Sequence, residues 1–257
     1  MKTISKGIVK TELNYAGIMV ALICSGFFVT IATFFRIPTS TSQAIVGGVA
    51  GIGLAMGADI NYSKLIVIAE SWVICPLLTM ALSFLLSHLI GFVLRRIRIG
   101  AMLIQNALGW LAIMSGCYVA YSLGANHAGI AVGPIANLKI MHPTILLSIG
   151  GVAIALGAVT YGKKVTDTVG KGIAPLDIPG SFAAQISSAF GIHLFSIFGI
   201  PISTSAAIVG AVVGVGLTKG AKSISQKTIW TILIGWVLTP CLTAGSSFLL
   251  YRLMIRL

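Results

Sequence analysis

Two short clusters of hydroxyl side chains, each introduced by a proline, are the residues of this sequence best suited to hold a ligand. The first is PTSTS at residues 38–42, and the second is PISTS at residues 201–205. Proline suits the first turn of a helix, where Ser and Thr can cap free backbone N–H groups. Those N–H groups lie at the positive end of the helix dipole, which favours an anion. Two such helix starts facing each other would surround a small oxyanion without lysine or arginine.

The two clusters belong to an internal repeat. Residues 37–58 and 200–221 are identical at 15 of 22 positions, with an offset of 163. Hydroxyls in an apolar segment can also serve only to cap helices or to bond across helices. Because both copies keep the proline and the hydroxyls at matching places, we favour a substrate site over that simpler role.

The repeat continues through a second pair of matching segments, residues 71–86 and 235–250, whose offset is one residue longer. This second pair matches Trp72 with Trp236 and Pro76 with Pro240. Glycines at four-residue spacing follow each hydroxyl cluster, which predicts close helix packing without ligand contact: Gly47 and Gly51, and Gly210 and Gly214.

The composition is that of a polytopic membrane protein. Of 257 residues, 57% are hydrophobic and 9% are charged, whereas charged residues make up about a quarter of a soluble domain. The charges fall at intervals: 23 uncharged residues separate Glu12 from Arg36, and 22 separate Arg36 from Asp59. A membrane-spanning helix needs roughly 20 apolar residues. We predict spans near residues 15–36, 65–94, 101–122, 143–161, 180–199 and 228–251.

The net charge of +12 does not indicate a nucleic-acid partner, because the basic residues cluster at the ends of the predicted spans. Such clusters are typical of membrane topology signals and of contact with lipid head groups, so the expected partner is the bilayer. The four cysteines lie in apolar segments without ligand spacing, so neither a disulfide framework nor a metal site is predicted.

Three shorter elements are interrupted by Gly, Pro, Ser or Asn and are predicted to be separate from the full spans: 38–57, 124–138 and 201–218. We therefore predict an all-α membrane protein of two repeats. Residues 1–97 form an incomplete first repeat with a hairpin tip at 38–57. Residues 98–257 form the second, with a tip at 201–218. Repeats with broken segments at matching positions are typical of secondary transporters, which bind substrate between the repeats.

The element at 124–138 begins with GANH and occurs once. Asn126 can offer a carbonyl to a cation and an amide to an anion, and His127 can serve as a ligand or a proton carrier. Either side chain can also be a satisfied interior residue. Glu70 is a minor candidate for a coupling carboxylate. The second repeat has no acid at the matching position, which weakens this candidate. The other histidines are interpreted as structural or interfacial, with His193 a weaker form of the His127 case: His88, His142 and His193.

Together these segments resemble the inorganic phosphate transporter (PiT) family of sodium- or proton-coupled symporters. The resemblance rests on PTSTSQAIVG, PISTSAAIVG, GANHAGIAVGPI, GKKVTDTVGKGI and two W-V-x-x-P stretches, and it covers nearly the whole chain. It implies inverted repeats with re-entrant or broken hairpins, a homodimer, and a tetrahedral oxyanion held between the hairpin tips and the G-A-N-D segments. The co-transported cation would be Na+ or H+. The expected location is the plasma membrane, with a multi-pass topology.

Carried over residue by residue, the resemblance places substrate contacts at the two hairpin tips and at the GANH segment: Ser40, Thr41, Ser42, Ser203, Thr204, Ser205 and Asn126. It places the coupling ion or proton at His127 and Asn126. The sequence departs from the family pattern in four places. His127 stands where the family has Asp, Ile130 replaces its second Asn, and Gln43 and Ala206 replace its hairpin His. The first G-A-N-D copy is absent from the sequence.

The predicted function is cation-coupled symport of inorganic phosphate by alternating access. Transport of sulfate or another oxyanion is the alternative. Phosphate can donate a hydrogen bond to an acid and sulfate cannot, so His127 in place of the family's Asp would suit sulfate. A truncated or split transporter, inactive without a second polypeptide, is the other alternative. A membrane enzyme is not indicated, because the chain has no H-E-x-x-H, no G-x-S-x-G and no paired intramembrane acids. A channel fits the duplicated broken elements less well than a carrier.

Overall fold

The computed structural model describes residues 7–11, 13–96, 100–136, 138 and 140–256. Eight α-helices lie within these ranges: α1 (Tyr15–Phe34), α2 (Thr41–Ala55), α3 (Tyr62–Arg96), α4 (Ala101–Ala136), α5 (Pro143–Gly172), α6 (Ile178–Ile197), α7 (Thr204–Thr218) and α8 (Gln226–Arg256). A 3-10 turn, Ala221–Ser223, joins α7 to α8. In the described part of the chain, five helices are long and apolar enough to cross a membrane, namely α1, α3, α4, α5 and α8. The protein is therefore an all-helical, multi-pass membrane protein, as the composition predicts.

Helices α1 and α2 form a hairpin that begins and ends at the same surface. The backbone N–H of Asn61, after α2, donates to the carbonyl of Ile8, before α1, at 2.9 Å. Helices α6 and α7 repeat the arrangement, because the N–H of Ser225 donates to the carbonyl of Ile173 at 2.9 Å. In each pair the second helix returns the chain to where the first began. We call these re-entrant pairs hairpin 1 (α1 and α2) and hairpin 2 (α6 and α7).

Three long helices separate the hairpins and make the repeats inverted. Helices α3, α4 and α5 contain 35, 36 and 30 residues. At about 1.5 Å per residue, each exceeds the roughly 30 Å thickness of the hydrocarbon core. An odd number of crossings places the base of hairpin 2 on the surface opposite the base of hairpin 1. The predicted fold class, two inverted repeats with re-entrant hairpins, is confirmed.

The repeat extends to the signals that start the helices. Asn14 caps α1 by accepting a hydrogen bond from the N–H of Gly17 at 2.8 Å. Asp177 caps α6 in the same way, accepting from the N–H of Gly180 at 2.9 Å. Caps of this type satisfy backbone donors that a helix start leaves free. The first helix of each hairpin therefore starts with the same kind of side-chain cap at the equivalent position of the repeat.

Each returning helix packs against the long helix of the other repeat, α7 against α3 and α2 against α8. A Cβ atom at Gly210 would fall on the carbonyl oxygen of Pro76, so the two backbones touch. Next to this contact, the Ser83 hydroxyl of α3 donates to the carbonyl of Ala211 on α7 at 2.7 Å. Small residues permit such contacts between helices in a bilayer. The glycines predicted to pack do so here.

The contact between α2 and α8 mirrors the one between α7 and α3. A Cβ atom at Gly47 would fall on the carbonyl oxygen of Pro240, and one at Gly51 on that of Ala244. Each hairpin is thus bound to a proline-bearing helix of the opposite repeat.

The structure differs from the sequence prediction in two helices. Residues 124–138 were predicted to be a separate broken element, but residues 101–136 form one helix, α4, with Pro134 inside it. Helix α5 continues to Gly172, well beyond the predicted end near residue 161. In α4 the side chains of Asn126 and His127 bond to Ile202 and Thr204, before and at the start of α7. In the extended part of α5, Val169 packs against the buried cluster that contains Ala183 and Val212. The predicted repeat boundary, between residues 97 and 98, falls at residues outside the described ranges and stays a prediction.

Substitution of Gly210 by Ala tests the close approach of α7 to α3. We expect Gly210→Ala to lower the melting temperature of the detergent-solubilised protein by several degrees, because overpacking a tight contact costs about 1–3 kcal/mol. The matched control is Gly245→Ala on α8, where nothing lies within 4 Å of an added Cβ. Equal melting temperatures for the two variants would show that the backbones do not touch.

Candidate anion site at the hairpin tips

Helices α2 and α7 both begin at a buried serine. The Ser40 hydroxyl accepts a hydrogen bond from the N–H of Gln43 at 3.3 Å, and the Ser203 hydroxyl accepts from the N–H of Ala206 at 3.1 Å. Both serines are buried. Each cap satisfies one of the four N–H groups that a helix start leaves free, and the others stay at the tip with the positive end of the dipole. The site therefore has two helix starts, as the duplicated clusters predicted.

His127 of α4 joins the two tips. Its Nε2 atom lies 2.8 Å from the Thr204 hydroxyl of hairpin 2 and 3.3 Å from the Thr41 hydroxyl of hairpin 1. Because Thr41 and Thr204 hold equivalent positions in the two repeats, the imidazole occupies the point where the repeats meet. A single nitrogen facing two hydroxyls can donate to one of them or accept from one of them, according to its protonation. It is a titratable group placed between both tips.

The remaining predicted side chains bind the tips to one another and to α4. The Asn126 amide, which is buried, donates to the carbonyl of Ile202 at 3.4 Å. The Ser205 hydroxyl donates to the carbonyl of Thr39 in the opposite tip at 2.7 Å. Ser42 lies 2.8 Å from the hydroxyl of Ser40 within its own tip. The structure thus brings all seven predicted substrate residues together with His127 in one cluster, in which Thr41, Ser205 and His127 are half-buried and the others are buried.

The other candidates lie elsewhere. Glu70 is exposed on α3, and within the described residues it has neither a hydrogen bond nor an ion pair. His193 of α6 makes a hydrogen bond of 2.9 Å with the Tyr118 hydroxyl of α4. His88 contacts the carbonyl of Phe84 one turn earlier in α3, at 3.0 Å. His142 is the residue that precedes the first turn of α5.

The tips contain no carboxylate among the residues that the structure describes. Three aspartates form ion pairs away from the tips: Asp59 with Lys10 at 3.6 Å, Asp167 with Lys171 at 2.9 Å, and Asp177 with Lys219 at 3.3 Å. Across the same residues, no group of three or more His, Cys, Asp or Glu side chains could hold a metal ion. The chemistry available at the tips is that of hydroxyls, amides, backbone dipoles and one imidazole.

A cavity of about 510 Å³ reaches the tips from one side, and the sequence reasoning did not predict it. At one end it touches Pro38 and Ser205, and at the other it touches Asp167 and Lys171. Its α6 wall is polar, formed by Ser181, Gln185 and Ser188. The signal was present as a polar stripe at helical spacing on an otherwise apolar helix. We call this cavity the vestibule.

Comparison with known proteins agrees with this architecture. The model of the Phosphate transporter family matches residues 1–247. A candidate phosphate permease of Methanocaldococcus jannaschii is 28% identical over 239 residues, covering 92% of this chain and 75% of its own. The sulfate permease CysP of Bacillus subtilis is 28% identical over 258 residues, covering 100% of this chain and 72% of its own.

A solved structure titled as the sodium-dependent phosphate transporter superposes with a TM-score of 0.86 and 27% identity. The match covers 100% of this chain and 84% of that one. The family consists of transporters and not enzymes, in agreement with the absence of catalytic motifs from the sequence. Because its model matches nearly the whole chain, this protein belongs to the Phosphate transporter family.

Proposed function

We propose that this chain is a symporter that moves inorganic phosphate across the plasma membrane by alternating access, coupled to a cation. The observation that carries the proposal is the meeting of two serine-capped helix starts on one imidazole, between two inverted repeats. Family membership and the sodium-dependent structural neighbour support the same function. The homodimer implied by the resemblance stays a prediction.

The tips offer a tetrahedral oxyanion the contacts that it needs. Its oxygens accept hydrogen bonds in several directions, and the hydroxyls of the two tips can turn toward them. In the described structure these groups bond to one another, as between Ser40 and Ser42 or between Thr204 and His127. Binding then exchanges internal hydrogen bonds for bonds to the anion. The described tips hold no lysine or arginine, so release of the anion need not break a permanent ion pair, which suits a carrier.

Proton coupling follows from the groups present at the tips. Hard cations such as Na+ prefer carboxylate and carbonyl oxygens, and the described tips contain no carboxylate. His127 is the titratable side chain there, so it is the group at the tips that can take up and release a proton. A proton on His127 places one positive charge beside the bound anion, so proton and anion each strengthen the binding of the other. We therefore propose H+ as the coupled cation, with Na+ as the alternative favoured by the structural neighbour.

Sulfate is the second candidate substrate, and a specific residue favours it. At neutral pH sulfate carries no proton and only accepts hydrogen bonds, whereas phosphate has a hydroxyl that can donate one to a carboxylate. His127 stands where the family resemblance expects Asp, so that acceptor is missing. The similarity to a sulfate permease is consistent with this reading.

Uptake of radiolabelled phosphate and sulfate into proteoliposomes tests substrate and coupling together. We expect phosphate uptake to rise when the outside is more acidic than the inside and to be indifferent to a sodium gradient. Uptake of sulfate without phosphate would replace the proposed substrate, and sodium-driven uptake would overturn proton coupling. Failure of the purified chain to transport either anion would favour a transporter that needs a second polypeptide.

Substitution of His127 by Asp tests whether this position selects the anion. We expect His127→Asp to raise the ratio of phosphate to sulfate uptake about tenfold or more, because a hydrogen bond to a charged group contributes about 1.5–3 kcal/mol. The matched control is His88→Asp, because His88 lies on α3 away from the tips. An unchanged ratio in His127→Asp would show that this side chain does not face the substrate.

Removal of a tip hydroxyl tests the site itself. We expect Ser203→Ala to reduce uptake about tenfold, because it removes both a ligand hydroxyl and a helix cap, and Ser40→Ala to do the same. The cap alone contributes about 1 kcal/mol, so a small fall in melting temperature accompanies the loss. The control is Ser148→Ala on α5, whose hydroxyl bonds to the carbonyl of Thr144 in its own helix. Unaltered uptake in both tip variants would overturn the site.

A further inference from the structure

The two tips are related by the repeat, yet the structure holds them unequally. Two side chains of the second repeat donate hydrogen bonds to the backbone of the first tip. The Ser205 hydroxyl donates to the carbonyl of Thr39 at 2.7 Å, and the indole N–H of Trp236 donates to the carbonyl of Pro38 at 3.2 Å. We call these two contacts the latch bonds of tip 1.

The equivalent side chains of the first repeat do not make the equivalent bonds. Ser42 corresponds to Ser205, but its hydroxyl bonds to Ser40 within its own tip, at 2.8 Å. Trp72 corresponds to Trp236, but its indole N–H is buried and has no hydrogen-bond partner among the described residues. Two separate pairs thus show the same asymmetry.

The missing bonds have defined acceptors. Through the repeat offsets, Pro201 corresponds to Pro38 and Ile202 corresponds to Thr39. From the side chains that the structure describes, the carbonyl of Ile202 accepts one long bond, of 3.4 Å, from the Asn126 amide. Latch bonds of tip 2 would therefore run from Trp72 to the carbonyl of Pro201 and from Ser42 to that of Ile202.

A buried N–H donor without a partner is costly, and a second conformation in which the Trp72 indole is bonded would remove that cost. The Oε1 atom of Gln43, which lines the same crevice, also has no partner among the described residues and is the alternative acceptor. Inverted repeats supply such a conformation, because exchanging the conformations of the two repeats turns the molecule to face the other side. Both indoles also line one apolar crevice of about 670 Å³ between α3 and α8, which gives the rings room to move.

We propose that Trp236 and Trp72 are alternating positioning residues for the anion site. In the described conformation Trp236 and Ser205 hold tip 1, and the vestibule reaches the site past Pro38 and Ser205. In the opposite conformation Trp72 and Ser42 hold tip 2, the latch bonds of tip 1 are released, and the vestibule closes. The proposal rests on the alternating access of the proposed function.

His127 fits this exchange as the fixed point between the tips. It contacts both through equivalent threonines, at 3.3 Å for Thr41 and 2.8 Å for Thr204. These two contacts survive an exchange of the repeats, whereas the latch bonds reverse. His127 thus stays in contact with both tips while the latch bonds change from tip 1 to tip 2.

The experiment compares Trp236→Phe with Trp72→Phe, because each change removes one N–H and keeps an aromatic ring. The reporter is Val119→Cys, since Val119 lines the vestibule and has an apolar side chain. It is introduced into the full chain with the four native cysteines replaced, and a charged methanethiosulfonate labels the detergent-solubilised protein. The rate of labelling measures how often the vestibule is open.

We expect Trp236→Phe to weaken the conformation with the open vestibule and Trp72→Phe to weaken the opposite one. Each change removes about one net hydrogen bond and shifts the equilibrium about fivefold. Because the two shifts are opposite, labelling in Trp72→Phe should be between about fivefold and about 25-fold faster than in Trp236→Phe. Equal rates, or the reverse order, would overturn the proposal. A chain that keeps only Cys117, which is exposed on the same helix, serves as the control and should label alike in both variants.

A second pair of variants tests the same proposal in case one of the tryptophan variants fails to fold. Ser205→Ala and Ser42→Ala remove the other donor of each latch and should show the same order, with slower labelling in Ser205→Ala. Labelling needs neither substrate nor a gradient. If the chain transports no anion, the difference in labelling still tests the latch proposal. If the chain transports but shows no difference in labelling, the latch proposal is overturned and the proposed function is not.

Discussion

The start of a helix at membrane depth must find partners for its free backbone N–H groups, and this structure is arranged around two such starts. Irregular backbone survives there only where protein or a polar cavity satisfies it. Ser40 and Ser203 each satisfy one donor, and α4 and the opposite tip surround the rest. The same requirement makes the tips suitable for an anion, because the backbone N–H groups that a cap leaves free lie at the two helix starts, which meet at His127.

The close packing of the hairpins follows from that requirement. A tip stays at mid-membrane only if its helix is held along its length, and the glycines of α2 and α7 allow backbone contact with α8 and α3. Each hairpin therefore rests on the opposite repeat through these glycine contacts, and the tip hydroxyls add contacts between the two tips themselves, as from Ser205 to the carbonyl of Thr39.

Much of this arrangement could be predicted from the sequence, because its determinants are local and duplicated. The Ser-Thr-Ser run predicts a capped helix start, and its second copy indicated a pair. The prolines, Pro38 and Pro201, lie two residues before the caps rather than in the first helical turn. What depends on distant neighbours could not be predicted. GANH was expected to break α4, yet the helix continues, and its polar side chains bond to the hairpin tips instead: Asn126 to the carbonyl of Ile202 and His127 to the hydroxyl of Thr204. The vestibule and the packing of each hairpin against the opposite repeat are likewise results of tertiary packing, which one sequence does not specify.

The absence of a fixed charge at the described tips decides how this site can work. A lysine or arginine would bind the anion in either conformation and would oppose its release after the repeats exchange. Hydroxyls and helix dipoles bind more weakly, so a modest change in the position of one tip changes occupancy. His127 contacts both tips at once, and in the proposed mechanism it adds a positive charge only when it holds a proton. Under that proposal the strength of anion binding depends both on the proton and on the latch bonds, as a carrier that binds on one face and releases on the other requires.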